Sequence, residues 1–257
     1  MLRIFLFSLA VLALGACGSD DSAEVVADSR LGYQLPLYDD FNSGSIDGAK
    51  WVVNQTAVDG VTIIVNDLAV VGGALEGTLT VDGIASGSTN RVYFADPTGM
   101  DAMYVDVTVL DYVQSSGVLQ ARLSGYFFND GDAANTGPGD ATGDVSARVR
   151  LRDGFVHFSV IKCTDAACNT AIVIGPYQTI GTVSIGETQG LYLAWDGGTT
   201  FTAQLNSDTP VTLDTSIYGF SNMAAPKSGF SPRRIGIRAD TGTSGTITAA
   251  FDNVRAG

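Results

Sequence analysis

Runs of positive charge are missing from this chain. Its 257 residues include 14 Lys and Arg against 27 Asp and Glu, a formal net charge of -13, and no stretch groups the cations. The missing basic runs argue against nucleic acid as a partner, because phosphates need Lys or Arg to neutralise them. The acidity favours solubility and cation binding instead. Histidine occurs once, at His157, so a Ser-His-Asp triad would have to use that residue, and no Gly-x-Ser-x-Gly elbow accompanies it. Glutamate is confined to Glu24, Glu76 and Glu187, while 31 Gly and many Thr, Ser, Asp and Asn favour strands joined by tight turns over helices. No segment carries a helical period beyond about two turns, and no internal repeat is visible.

Long apolar runs are also missing after the first. Arg3 precedes an unbroken stretch from Ile4 to Leu14, too short to span a bilayer and ending in small residues, as a cleaved export signal does. Leu14-Gly15-Ala16-Cys17 resembles a bacterial lipobox, which implies a signal peptide over 1–16 and acylation of Cys17. Gly18 and Ser19, with no Asp beside Cys17, lean toward outer-membrane sorting under the enterobacterial rule, so the expected location is an outer-membrane lipoprotein facing the periplasm or the surface. Residues 17–32 are small and acidic and read as a flexible tether, and 33–257 as the folded domain, attached to the membrane through the lipid only. Cys163 and Cys168 are the one internal thiol pair; in an exported protein they are expected to form a disulfide, stabilising by roughly 2 kcal/mol, with a metal site as the competing reading.

What is present is alternation. Met103-Val105-Val107-Val109, Leu119-Ala121-Leu123, Val145-Ala147-Val149-Leu151, Val156-Phe158-Val160, Leu191-Leu193-Trp195, Phe201-Ala203-Leu205 and Ile235-Ile237-Ala239 all repeat with the strand period. Asp59-Gly60, Gly72-Gly73, Asp82-Gly83 and Asp153-Gly154 are among the turn signals between them. About a dozen strands without a linker predict one all-β, antiparallel sandwich. The Asp-rich segment 129–144 is read as a solvated, mobile loop, with a calcium-ordered ligand loop as the alternative.

Tyr38-Asp39-Asp40-Phe41-Asn42, then Ser45-Ile46-Asp47 and Lys50-Trp51, resembles the opening of concanavalin A-like lectin/glucanase domains, and Ala250-Phe251-Asp252-Asn253-Val254 resembles their closing phrase. The resemblance implies a concanavalin A-like jelly-roll β-sandwich. It also implies a structural calcium ion, held by the carbonyls of Asp40 and of Gly72 or Gly73 and by the Asp252 carboxylate; the competing reading is that Asp252 caps a turn or pairs with Arg255. The Glu-x-Asp-(x)-x-Glu phrase of the family's hydrolases, which sets two carboxylates on one strand face, is absent.

If the alternating apolar residues face the core, Gln120, Arg122, Ser124, Tyr126 and Phe128, then Ser146, Arg148, Arg150 and Arg152, then Phe155, His157, Ser159 and Ile161 face the other way. Arg122, Arg148, Arg150, Arg152 and His157 would then share one side of three strands. Such Arg forks suit a carboxylated or sulfated glycan, with Tyr126 and Phe155 stacking on sugar rings. The competing reading pairs them with Asp neighbours such as Asp106 across an exposed sheet.

The expected function is a non-catalytic, monomeric lectin-like lipoprotein. It would bind an acidic glycan or a surface partner through Gln120, Arg122, Tyr126, Arg148, Arg150 and His157. One alternative is a divergent polysaccharide lyase on a uronate-containing glycan, since alginate lyase-like sandwiches use Arg, Gln, His and Tyr, although their phrases are absent. Another is a structural or interaction lipoprotein without a carbohydrate site.

Overall fold

A computed structural model describes residues 29–228 and 233–257. The signal peptide, Cys17 and most of the tether lie outside these residues. In chain order the strands are β1 (Leu37–Asp39), β2 (Trp51–Gln55), β3 (Ile63–Val71), β4 (Ala74–Val81), β5 (Ser88–Phe94), β6 (Ala102–Ser116), β7 (Leu119–Asn129) and β8 (Asp144–Arg152). They continue as β9 (Phe155–Cys163), β10 (Ala171–Thr182), β11 (Thr188–Trp195), β12 (Thr200–Leu205), β13 (Val211–Asp214), β14 (Arg233–Ala239) and β15 (Ser244–Ala256). The helices among the described residues are two 3-10 turns, Leu31–Gln34 and Thr215–Tyr218.

The strands form two antiparallel sheets. One runs β13-β12-β11-β6-β15-β4-β3, with β1 also paired to β15; the other runs β10-β9-β8-β7-β14-β5-β2. Runs of consecutive strands such as β7 to β10 are joined to strands distant in sequence, as β14 shows by inserting between β7 and β5. The alternating residues singled out above meet between the sheets, where Val105, Leu123, Val149, Phe158, Leu193 and Ile237 are fully buried. At Asp153-Gly154, which links β8 to β9, both residues adopt positive φ, 54° and 77°, the two-residue turn that matches strand twist.

The opening phrase is a structural buckle. The Trp51 indole N–H donates to Asp39 Oδ2 at 2.7 Å, and the Phe41 N–H donates to Asp39 Oδ1 at 3.0 Å. Trp51 packs against Phe41, Tyr38 and Phe94, with ring centroids 5.7, 5.1 and 4.6 Å away. Burying Asp39 is tolerable because both carboxylate oxygens have donors.

Residues 29–32, assigned to the tether from sequence, lie on the sandwich. Gln204 accepts from the Leu31 N–H at 2.8 Å and donates to the Ser29 carbonyl at 3.2 Å. Gly32 sits on the Tyr104 ring so closely that a Cβ there would overlap it, and Tyr33 meets the same ring edge-on at 5.1 Å. Tyr104 points away from the core on β6, so this segment covers the outer face of the first sheet.

The Asp-rich segment is packed where solvation had been expected. Lys162 bridges Asp130 and Asp132 at 2.7 and 2.8 Å, and the buried Asp144 carboxylate accepts from the Lys227 and Ser228 N–H groups. Asn135 donates to the Asp140 and Thr142 carbonyls. Its carboxylates are consumed by this local network.

Candidate functional site

The outer face of the second sheet is hollow. Along β7 the outward residues Gln120, Arg122, Ser124 and Tyr126 are only 1, 3, 1 and 5% exposed, although no strand covers them. Long side chains from the flanking strands close over them; Phe128, expected on the same side, lies in the core because the register shifts between Tyr126 and Phe128. A cavity of about 410 Å³ opens over Arg122 and Tyr126 and is lined also by Arg148, Arg234 and Arg238, by Asn169 beside Cys168, and by Asp240 and Thr241; Gln120, Arg150 and His157 lie outside its lining.

Register places the sequence-predicted residues side by side. One cross-strand row reads Asn54, Arg91, Gly236, Arg122, Arg150, His157, Thr179 across β2, β5, β14, β7, β8, β9 and β10. The next reads Val52, Tyr93, Arg234, Ser124, Arg148, Ser159. Gln120, Arg122, Tyr126, Arg148, Arg150 and His157 therefore share one surface. Gly236 keeps the row tight: with φ at 145°, a Cβ there would meet the Asn90 carbonyl oxygen at 2.4 Å.

Sequence reasoning missed Arg91, Arg234, Arg238 and Tyr177. Ile235 and Ile237 face the core, so the parity that selected Arg122 also pointed Arg234 and Arg238 outward; their position beside β7 was invisible. Tyr177 lies in an irregularity of β10 between Ile174 and Gln178, where parity fails. With Arg152, seven of the chain's 11 arginines occupy this face.

Their counter-charges are few. Arg238 pairs with Asp240 at 2.6 Å, and Arg152 with Asp153 at 3.4 Å. The Asp106 pairing considered from sequence does not occur. Asp106 belongs to the other sheet and accepts from Tyr33 at 3.2 Å and Asn253 at 3.0 Å. Other arginines are tethered by neutral groups: Arg91 Nε donates to Asn54 Oδ1 at 3.0 Å, Arg148 Nε to Ser159 Oγ at 3.1 Å and Arg234 Nε to Ser124 Oγ at 3.0 Å. Arg91, Arg150 and Arg234 lie 5.0, 5.0 and 5.1 Å from the ring centroids of Tyr93, Tyr177 and Tyr126.

Burial and mutual repulsion lower the basicity of the cluster. Arg148 falls to about 9, chiefly through desolvation and then through Arg150; Arg91 falls to about 10 through desolvation and then Arg234. Desolvation pushes Arg122 well down, helped by Arg234, Arg238, Arg91 and Arg148. His157 is lowered by desolvation and then by Arg152 and Arg150. Its ring lies 4.8 Å from that of Tyr177, whose hydroxyl accepts from Arg150 Nη2. Phe155, two residues before His157 on β9, lies with its ring 6.0 Å from the imidazole.

Cys163 and Cys168 are joined as a disulfide, which removes them as thiolate ligands. Tyr126 packs against this bridge. No group of three or more His, Cys, Asp or Glu side chains suited to a metal ion occurs among the described residues. The calcium set is of another kind, one carboxylate with backbone carbonyls. Gly72 and Gly73 form the β3–β4 turn, with φ of 60° and 87°, and a Cβ on Gly73 would lie 2.8 Å from Asn42 Oδ1, two residues from Asp40. Asp252 is raised by desolvation and by the nearby carboxylates of Asp106 and Asp40.

No protein-family model matches the sequence, and no curated protein matches it. Solved structures do. The β-glucanase of Bacillus licheniformis superposes with a TM-score of 0.51 at 10% identity, covering 85% of this chain and 95% of its own. A glycoside hydrolase family 16 protein of Bacteroides ovatus, in complex with a mixed-linkage glucan product, gives 0.47 at 13% identity over 85% and 98%. The κ-carrageenase of Pseudoalteromonas carrageenovora, in complex with an oligotetrasaccharide of κ-carrageenan, gives 0.45 at 11% over 85% and 91%. The chain has the concanavalin A-like jelly-roll fold. At such identities the likeness is one of architecture, and residues must carry any statement about function.

Proposed function

We propose that this protein binds an anionic glycan in the hollow face of its second sheet, held at the membrane by a lipid on Cys17. The observation that carries the reading is seven arginines on one face, with Asp240 and Asp153 as their ion-pair partners, in a chain of net charge -13. Guanidinium forks suit carboxylate and sulfate groups, and the tyrosines beside them suit sugar faces. The test is a glycan array with protein lacking residues 1–17. Acidic polysaccharides are expected to bind, and Arg148→Ala or Arg150→Ala to abolish the signal. Retention by neutral glycans alone, or by none, would overturn the reading, and the second result would favour an interaction lipoprotein without a sugar site.

One constellation favours a lyase as the second reading. Gln120 and Arg150 are in contact at 3.5 Å, Tyr177 sits on Arg150 and the His157 ring lies tilted against Tyr177. With a uronate carboxylate on Gln120 and Arg150, His157 or Tyr177 would take the C5 proton, the C4–O bond would break, the electron pair would form a C4=C5 double bond, and a proton would pass to the leaving oxygen. Ultraviolet absorbance of unsaturated uronates that rises with wild type and not with His157→Ala is the expected signature; no rise on alginate, pectin or glycosaminoglycans sinks it.

Calcium is proposed at Asp40, Gly72 or Gly73, and Asp252. The donors are all oxygens, and among the described residues Asp252 accepts from Asn253 but has no ion pair against Asp106 and Asp40, an acidic setting that suits a hard divalent ion. The ion would supply charge joining β1, the β3–β4 turn and β15. A chelator should lower the Tm of wild type and leave Asp252→Ala unmoved; equal responses place the ion elsewhere.

A further inference from the structure

We propose that the floor of the groove is an oxyanion cage, in which Arg122, flanked by Arg148, Arg234 and Arg238, receives one tetrahedral oxyanion ester, sulfate or phosphate, carried by the ligand. The inference rests on the glycan reading for the source of the ester and stands on separate observations.

Arg122 is the central one. Its side chain is buried, forms no hydrogen bond or ion pair with the described residues, and leaves Nη2 enclosed without a partner. A buried charge in that state is strongly unfavourable unless something else compensates it. Its electrostatic neighbours are Arg234, Arg238, Arg91 and Arg148, all of the same sign. Asp240, the carboxylate lining the cavity, is already engaged by Arg238 and Gln120.

The surrounding arginines are preset for such a guest. Arg148, Arg234 and Arg238 each spend Nε on a fixed acceptor, Ser159, Ser124 and Asp240. Each Nε bond holds its guanidinium in place and leaves the Nη groups for other partners. Arg148 and Arg234 both oppose Ser124, on the strands either side of β7, and so stand diagonal to Arg122. Cations from β7, β8 and β14 therefore line one cavity. A planar carboxylate is satisfied by one bidentate fork, whereas the three terminal oxygens of a sulfate or phosphate ester diverge and accept from several forks at once.

The test has two arms. In the first, thermal shift is measured in sulfate, phosphate and acetate at matched ionic strength; sulfate or phosphate is expected to raise the Tm of wild type above acetate, and Arg122→Met to lose the difference. In the second, a sulfated polysaccharide, its desulfated form, a phosphorylated polysaccharide and a uronate polymer are compared by calorimetry. Sulfated or phosphorylated polymer is expected to bind at least about tenfold more tightly than the other two, and which of them wins identifies the ester. Should Arg122→Met not fold, Arg238→Gln at the cavity edge must reduce the same preference. Equal binding of ester and uronate polymers overturns the cage and leaves the glycan reading standing. A Tm response to free sulfate with no polymer bound keeps the cage and overturns the glycan reading, and no response in either arm overturns the cage.

Discussion

The sole histidine shows how much of this site is decided by neighbours. His157 lies with its ring tilted against Tyr177, meets Thr179 Oγ1 through Nδ1 at 3.1 Å, and faces Arg150 and Arg152. Desolvation lowers its pKa first and the two arginines lower it further, so the ring is neutral at neutral pH. Because the unfolded chain takes up this proton more readily, the imidazole destabilises the fold as pH falls below about 6.5 and toward the lower folded value. NMR titration should place its midpoint below that of a free histidine, and Arg152→Gln should raise it; a midpoint at or above the ordinary value would contradict the geometry. The residue type was visible in the sequence, as were Arg122, Arg148 and Arg150. The reason Arg91, Arg234 and Tyr177 join them was not, because it depends on strand order and on an irregularity in β10.

At the scale of elements, the Asp-rich connection between β7 and β8 is held by a lysine from β9. Lys162 lies between Asp130 and Asp132, and its pKa is raised because the two carboxylates outweigh the desolvation that opposes them. A raised cation contributes stability that is fully present below its unfolded value near 10.4 and is lost as pH climbs through the folded one. Lys162→Met should cost about 2 kcal/mol in urea unfolding and speed amide exchange across 129–144, while leaving the core strands protected. An unchanged loop would mean that its hydrogen bonds suffice. Strand alternation made β6 to β9, β11, β12 and β14 legible, since each has one face in the core. The loop was not, for an Asp in a turn and an Asp in solvent look alike until the lysine arrives from another strand.

Over the whole molecule, charge is separated: an acidic body carries a basic hollow. With Arg148 held near 9 and Arg91 near 10 by burial and repulsion, the folded state gives up protons more readily than the unfolded chain. These groups thus burden the fold fully below about 9, and the burden lifts between there and about 12.5. A polyanion should relieve it at neutral pH, raising Tm at low ionic strength, with the gain fading as salt approaches 1 M. A Tm indifferent to polyanion at low salt would count against a functional basic face. The segment 29–34, clasped by Gln204 and Tyr104, gives this polarity a direction. It leaves the sandwich on the sheet that does not bear the arginines. With Cys17 in a bilayer as proposed, the tether would reach the body from its back, which leaves the basic palm uncovered by its own anchor and open to polymers.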